Sequence, residues 1–134
     1  MTERFLLDTD TVSYALRGAR GVPARLLEHP PERIAISSLT LAELRFGAER
    51  RASKKLHALV DAFCRSVSVL PFDAEAALRY GEVGAVLADI GSPIGQMDTL
   101  IAAHALALDR VLVTNNTKHY SKVRGLRVQN WAKP

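Results

Sequence analysis

The chain has 134 residues, 48% of them hydrophobic, and a formal net charge of +4. That hydrophobic share excludes a disordered chain, and no apolar run reaches the ~18 residues of a membrane span. The length suits a single domain over residues 1–134 with a real core, since ~150 residues bury about 70% of their unfolded surface.

Residues 5–7 (Phe-Leu-Leu) read as a strand that ends at Asp8. A helix is expected over 11–17, then a loop punctuated by Gly18 and Gly21, and a short helix over 22–28. Pro30-Pro31 breaks it, and 33–37 reads as a second strand. Ser38 or Thr40 can cap the helix that runs to about Arg51, and Ser53 can cap the next. That helix carries Leu56, Leu59, Val60, Phe63 and the single cysteine, Cys64, on one face. Cys64 is expected to be buried and inert, and a disulfide within the chain is excluded. Residues 67–70 read as a third strand, and Asp73 caps a long helix to about Ile90. A nearly all-apolar helix over 97–108 follows, then a strand over 111–113 and an edge strand over 126–128. Strands alternating with helices predict an α/β fold: three layers, with a central parallel sheet of four to five strands and helices on both faces.

Three acids interrupt this apolar pattern. Asp8 ends the first strand, Glu43 sits inside Leu39-Thr40-Leu41-Ala42-Glu43-Leu44, and Asp98 opens Met97-Asp98-Thr99-Leu100-Ile101. Burying a bare carboxylate costs several kcal/mol, on the order of an unpaired buried ion. Three in one small chain point to a shared cation, and a hard divalent metal takes oxygen ligands. Each acid also has a simpler reading. Asp8 or Asp10 can cap the first helix, Asp98 can cap its own, and Arg45 or Arg50 can pair with Glu43. In open α/β sheets, sites form beyond the carboxyl ends of strands. Asp8 and Thr114-Asn115-Asn116 stand at such ends.

Basic residues are grouped. No acid follows Asp109, while Arg110, Lys118, Lys122, Arg124, Arg127 and Lys133 do; Arg45, Arg50, Arg51, Lys54 and Lys55 follow Glu43. Such groups suit phosphates flanking a metal site. His29, His57, His104 and His119 show no metal-ligand spacing and are expected at the surface or satisfied. Trp131 is expected as an anchor on the body, and Ser37-Ser38 lacks the context of a nucleophile. Met1-Thr2-Glu3-Arg4 leads into only a few apolar residues, so no signal peptide is expected.

Leu6-Leu7-Asp8-Thr9-Asp10, Ile36-Ser37-Ser38-Leu39-Thr40-Leu41-Ala42-Glu43-Leu44-Arg45-Phe46-Gly47, Pro93-Ile94-Gly95-Gln96-Met97-Asp98-Thr99-Leu100-Ile101-Ala102-Ala103 and Leu112-Val113-Thr114-Asn115-Asn116 together resemble the VapC toxins of the PIN-domain family. The likeness runs through the whole chain in order. It implies a PIN-like fold and an endoribonuclease dependent on Mg²⁺ or Mn²⁺, cutting tRNA or another structured RNA to leave a 3′-hydroxyl and a 5′-phosphate. It implies a VapB-like antitoxin that masks the site, a homodimer, a higher assembly with the antitoxin, and a bacterial-type cytoplasmic setting without membrane contact. On this resemblance Asp8 and Asp98 hold the metal, with Glu43 completing the acidic set. Thr114, Asn115 and Asn116 position water or phosphate, while Arg45, Arg50, Arg51, Lys118 and Lys122 meet the RNA. Two positions depart from the pattern: Asp10 stands where Asn is common, and Asn116 where many PIN domains carry a fourth acid.

Two other readings exist. Leu7-Asp8-Thr9-Asp10-Thr11-Val12 also resembles the haloacid-dehalogenase-like phosphatases, with Asp8 as nucleophile, but those need acids late in the chain. A non-catalytic PIN module that binds RNA or a partner would require a lost acid, and all three are present.

Overall fold

Apolar runs of three residues suffice for strands here because each is covered on both sides. The computed structural model describes residues 2–134. Strands β1 (Phe5–Leu7), β2 (Ile34–Ser37), β3 (Ser68–Leu70), β4 (Val111–Val113) and β5 (Val128–Gln129) form one sheet in the order β3-β2-β1-β4-β5, parallel throughout. Side chains alternate between the two faces. Phe5, Leu7, Ile34, Ile36, Val111 and Val113 enter one core; Leu6, Ala35 and Leu112 enter the other. Strands buried on both faces therefore read as unbroken apolar runs.

Helices α1 (Thr9–Leu16), α2 (Val22–Leu27), α3 (Ser38–Arg50) and α4 (Lys54–Ser66) cover the first face, supplying Val12, Leu26, Leu44 and Val60. The second face is covered by α5 (Ala74–Asp89) and α6 (Gln96–Leu108), through Leu87, Ile101, Ala102 and Ala105. A one-turn helix, α7 (Thr117–Tyr120), follows β4. Small residues let α6 lie close to the sheet, and Ile101 through Ala105 are all buried. Inside that layer His104 Nδ1 meets Ser37 Oγ at 2.8 Å, and burial pushes its pKa down. Among the described residues, no helix is long and apolar enough to cross a membrane.

The winding of the sheet creates the site. The chain runs from β1 outward through β2 to β3, then passes the starting strand to add β4 and β5. It reverses between β1 and β4, where loops leaving the two carboxyl ends diverge and leave a crevice.

Several boundaries differ from expectation for local reasons. Asp8, not Asp10, is the N-cap of α1, so the helix starts at Thr9 and Asp10 lies in its first turn. Ser37 caps α3 by accepting the Leu39 amide at 3.0 Å, leaving the Ser38 hydroxyl to accept the Phe72 amide at 3.1 Å. The edge strand falls at Val128–Gln129 because Leu112 pairs with Val128. Cys64 is only half-buried, at the margin of the first core.

The tail is anchored as expected. Trp131 is 1% exposed, stacks on His29 at 4.7 Å, meets Phe5 edge-on at 5.0 Å, and donates to Gln129 Oε1 at 3.0 Å. Replacing a buried Trp by Ala costs ~3–5 kcal/mol. Trp131→Ala is expected to lose about 3 kcal/mol or more in urea unfolding, and a loss below ~1 kcal/mol would show that the tail contributes little to the core.

Candidate active site

Asp8 is the first residue beyond β1. Its amide donates to the Val113 carbonyl of β4 at 3.0 Å, and its Oδ1 accepts the Thr11 amide at 2.9 Å. The residue is 8% exposed. Burial pushes its carboxyl above the ordinary range. The Thr114 hydroxyl and the Thr11 amide pull it back, while the charge of Asp10 pushes it further up. Among these influences there is no positive side chain.

Glu43 projects from the second turn of α3 and is half-buried. Its Oε1 accepts the Thr9 hydroxyl at 2.5 Å, and the Thr40 hydroxyl lies 3.4 Å from the same Thr9 oxygen. The ion pair with Arg45 or Arg50 that would offer Glu43 a simpler explanation is not formed. Arg45 pairs with Asp61 and reaches His57 Nδ1 at 3.0 Å; Arg50 lies over the Phe46 ring at 5.9 Å. Residues two apart on a helix do not face each other, so Glu43 and Arg45 point apart.

Asp98 sits in the first turn of α6, where the positive end of the helix dipole favours an anion. The cap is Gly95 rather than Asp98 itself. The Asp98 side chain is 44% exposed, so it is not the buried acid that its apolar neighbours suggest. Its Oδ2 lies 2.9 Å from His119 Nε2, which also lies 2.8 Å from the Ile94 carbonyl.

These acids share one pocket of about 110 Å³, lined by Asp8, Thr9, Asp10, Glu43, Asp98, Ile101 and Tyr120. Its negative field is registered by Tyr120. Burial first, then the charges of Asp98 and Asp8, hold the phenol far above its ordinary pKa, so its hydroxyl stays protonated. The donor set is all oxygen, which suits a hard cation rather than a thiolate- or imidazole-seeking one. Among the described residues, no three Asp, Glu, His or Cys side chains close on one point tightly enough to hold an ion alone. Mg²⁺ tolerates that, since it keeps several waters and binds through one or two carboxylates. The residues therefore fit a partly hydrated divalent cation.

Other expected site residues stand apart from this pocket. Thr114 is buried against Asp8, but its Oγ1 accepts the Asn116 amide at 3.0 Å. That turn leaves Asn116 exposed, and Asn115 Oδ1 instead accepts Asn130 Nδ2 at 3.4 Å. Arg51 lines an adjoining depression with Arg17, Asp10 and Glu43. Lys118 is exposed on α7, and Lys122 lines a separate groove beside α5 with Arg79 and Arg124. Thr9, His119 and Tyr120 were not expected at the site. Thr9 had a signal, lying between two acids; the other two had none beyond following Asn116.

The raised pKa of Asp8 carries a sign. In metal-free protein the folded state favours its protonated form, so this group's contribution is full below about 3.8 and is lost as pH rises through the higher folded value. Asparagine keeps the cap and removes the charge. Asp8→Asn is expected to raise the melting temperature in EDTA at pH 7, with the gain shrinking toward pH 3.5 on differential scanning calorimetry. A loss of stability at pH 7 would mean that the carboxylate has a positive partner in the folded chain.

Comparison with known proteins agrees with this geometry. The PIN domain family model matches residues 5–126. The tRNA(fMet)-specific endonuclease VapC of Salmonella typhimurium is 35% identical over 129 residues, covering 96% of this chain and 98% of that protein. Ribonuclease VapC2 of Rickettsia felis is 35% identical over 132 residues, with 96% and 98% covered. The DNA-bound VapBC structure from Salmonella typhimurium superposes with a TM-score of 0.91 at 34% identity, covering 98% of this chain and all of that one (100%). The chain thus belongs to the PIN-domain family, within its VapC group.

Proposed function

We propose that residues 1–134 act as one nuclease unit, the toxin of a toxin–antitoxin pair, and that it is a metal-dependent endoribonuclease. The observation that carries this reading is the convergence of Asp8, Glu43 and Asp98 on one pocket whose lining holds no lysine or arginine. Asp8 and Asp98 would hold Mg²⁺ or Mn²⁺, with Glu43 in the outer acidic set. Such a cation supplies a bound water of lowered pKa near a phosphodiester. Asp8 is kept in place by the Thr11 amide, and Glu43 by the Thr9 hydroxyl. Tyr120 keeps its hydroxyl proton, so it can donate to a phosphate oxygen or a water. Arg17 and Arg51, in the adjoining depression, are the basic side chains best placed for the next phosphate along the strand.

The substrate class is RNA, and tRNA is the favoured target because similar proteins are named for tRNA cleavage. The phosphatase alternative finds no support, since it needs a lysine near Asp8 and none lines the pocket. The partner would be a VapB-like antitoxin, as in the VapBC complexes of structural relatives. A homodimer is part of the same reading: α5 and its C-cap leave Leu78, Val86 and Ile90 exposed, at 61%, 55% and 61%.

Purified protein with Mg²⁺ is expected to cut RNA to 3′-hydroxyl and 5′-phosphate ends, and to leave p-nitrophenyl phosphate intact. Asp8→Asn and Asp98→Asn should each lower cleavage by about 10²-fold or more, within the range lost when a catalytic group is removed. Mg²⁺ should raise the melting temperature of the wild type by mass action, and less so in either variant. A 2′,3′-cyclic phosphate at the cut would sink the reading, because it marks attack by the RNA's own 2′-hydroxyl.

The antitoxin is expected to place a cationic side chain, an arginine by its bidentate geometry, against the acids. It would then compete with the metal. Inhibition measured against Mg²⁺ and salt should weaken as either rises. A complex in which the antitoxin never approaches Asp8, Glu43 or Asp98 would refute this.

A further inference from the structure

We propose that His119 is a positioning residue, which holds the Asp98 carboxylate in the orientation that receives the divalent cation. This rests on the metal-dependent reading above. His119 belongs to α7, yet its ring reaches the entry of α6. Nε2 lies 2.8 Å from the Ile94 carbonyl and 2.9 Å from Asp98 Oδ2. A carbonyl oxygen can only accept, so Nε2 carries a hydrogen whichever charge the ring has. One N–H thus bridges the backbone before α6 and the acid in its first turn.

Both anchors are themselves fixed. Ile94 is 4% exposed, and the Thr99 hydroxyl donates to the Gly95 carbonyl at 2.6 Å, closing the turn that leads into α6. The His119 ring is held edge-on by Tyr120, with centroids 5.4 Å apart and planes at 84°. Asp98 needs such a brace. At 44% exposure its carboxylate would otherwise turn freely, whereas Asp8 is locked by its capping bond. The kind of donor also matters. A single imidazole N–H occupies one oxygen of the carboxylate, Oδ2, and leaves Oδ1 for the cation. An arginine or lysine in its place would compete with the metal. Partners that orient metal ligands are worth about 10–100-fold in metal affinity.

The test is a Mg²⁺ titration of thermal stability, beside RNA cleavage, for wild type, His119→Phe and His119→Gln. Phenylalanine keeps the ring packed on Tyr120 and removes the donor; glutamine returns an N–H at similar reach. His119→Phe is expected to melt near the wild type in EDTA. It should need about tenfold more Mg²⁺ or above for half-maximal stabilisation, and His119→Gln should stay within about threefold. Cleavage by His119→Phe should recover toward wild type at raised Mg²⁺. In an Asp98→Asn background the phenylalanine change should shift the Mg²⁺ midpoint no further, since its effect runs through that acid. If His119→Phe does not fold, His119→Asn, too short to bridge both acceptors, replaces it with the same expectation. A Mg²⁺ midpoint unchanged by loss of the donor would overturn the proposal while leaving the nuclease reading intact. A wild type that neither gains stability from Mg²⁺ nor cuts RNA would overturn both.

Discussion

Four carboxylates face one small pocket, and no basic side chain lines it. Like charges ~4 Å apart repel by up to about 4 kcal/mol at an effective dielectric near 20. The fold holds these acids in place with single hydrogen-bond donors. A backbone amide holds Asp8, a threonine hydroxyl holds Glu43, and a ring N–H holds Asp98. The amide and the hydroxyl fix their carboxylates without cancelling any charge. Two basic side chains that follow Glu43 in sequence are committed elsewhere, Arg45 on Asp61 and His57 and Arg50 over Phe46. Metal-free, such a site is a local cost, and a cation bound there would turn the same charges into binding energy. Sites arranged in this way serve function at the expense of stability.

What could be read from the sequence follows from how locally each feature is determined. The inner strands were legible because β1 and β4 are buried on both faces, and a three-residue apolar run has no other use there. The edge strand was less so. Val128 and Gln129 are half-buried, and their pairing is set by Leu112 and Val113 rather than by their own pattern. Asp8, Glu43 and Asp98 stood out as acids in apolar surroundings, and the pocket does gather them. Asp8 is buried as expected, but the burial of Glu43 and Asp98 was over-read, since apolar neighbours in sequence say little about which way a helical side chain points. Asp98 faces the crevice and keeps 44% exposure.

The misses are long-range. His119 touches Asp98 across 21 positions in the chain, and no spacing rule connects a one-turn helix to the entry of another. Asn116 stands outside the pocket for a local reason. It follows the right strand, but the Thr114 hydroxyl captures its amide and the side chain is left exposed. The turn geometry there, and not residue type or order, sets where the side chain goes. Arg45 adjoined Glu43 in sequence, yet the 3.6-residue period sent it toward α4.

The reversal of winding at β1 has a bearing on how such a chain can be made safely. The strand that presents Asp8 has β2 on one side and β4 on the other, and Phe5 must find Val111. The first acid leaves the ribosome early, but its crevice has no second wall until most of the chain has followed. Chains grow at about 5–20 residues per second, so that interval lasts several seconds. Contacts so distant in sequence also form late, after the entropy of closing a long loop has been lost. A nascent chain is therefore inert by topology until its last strands are in place.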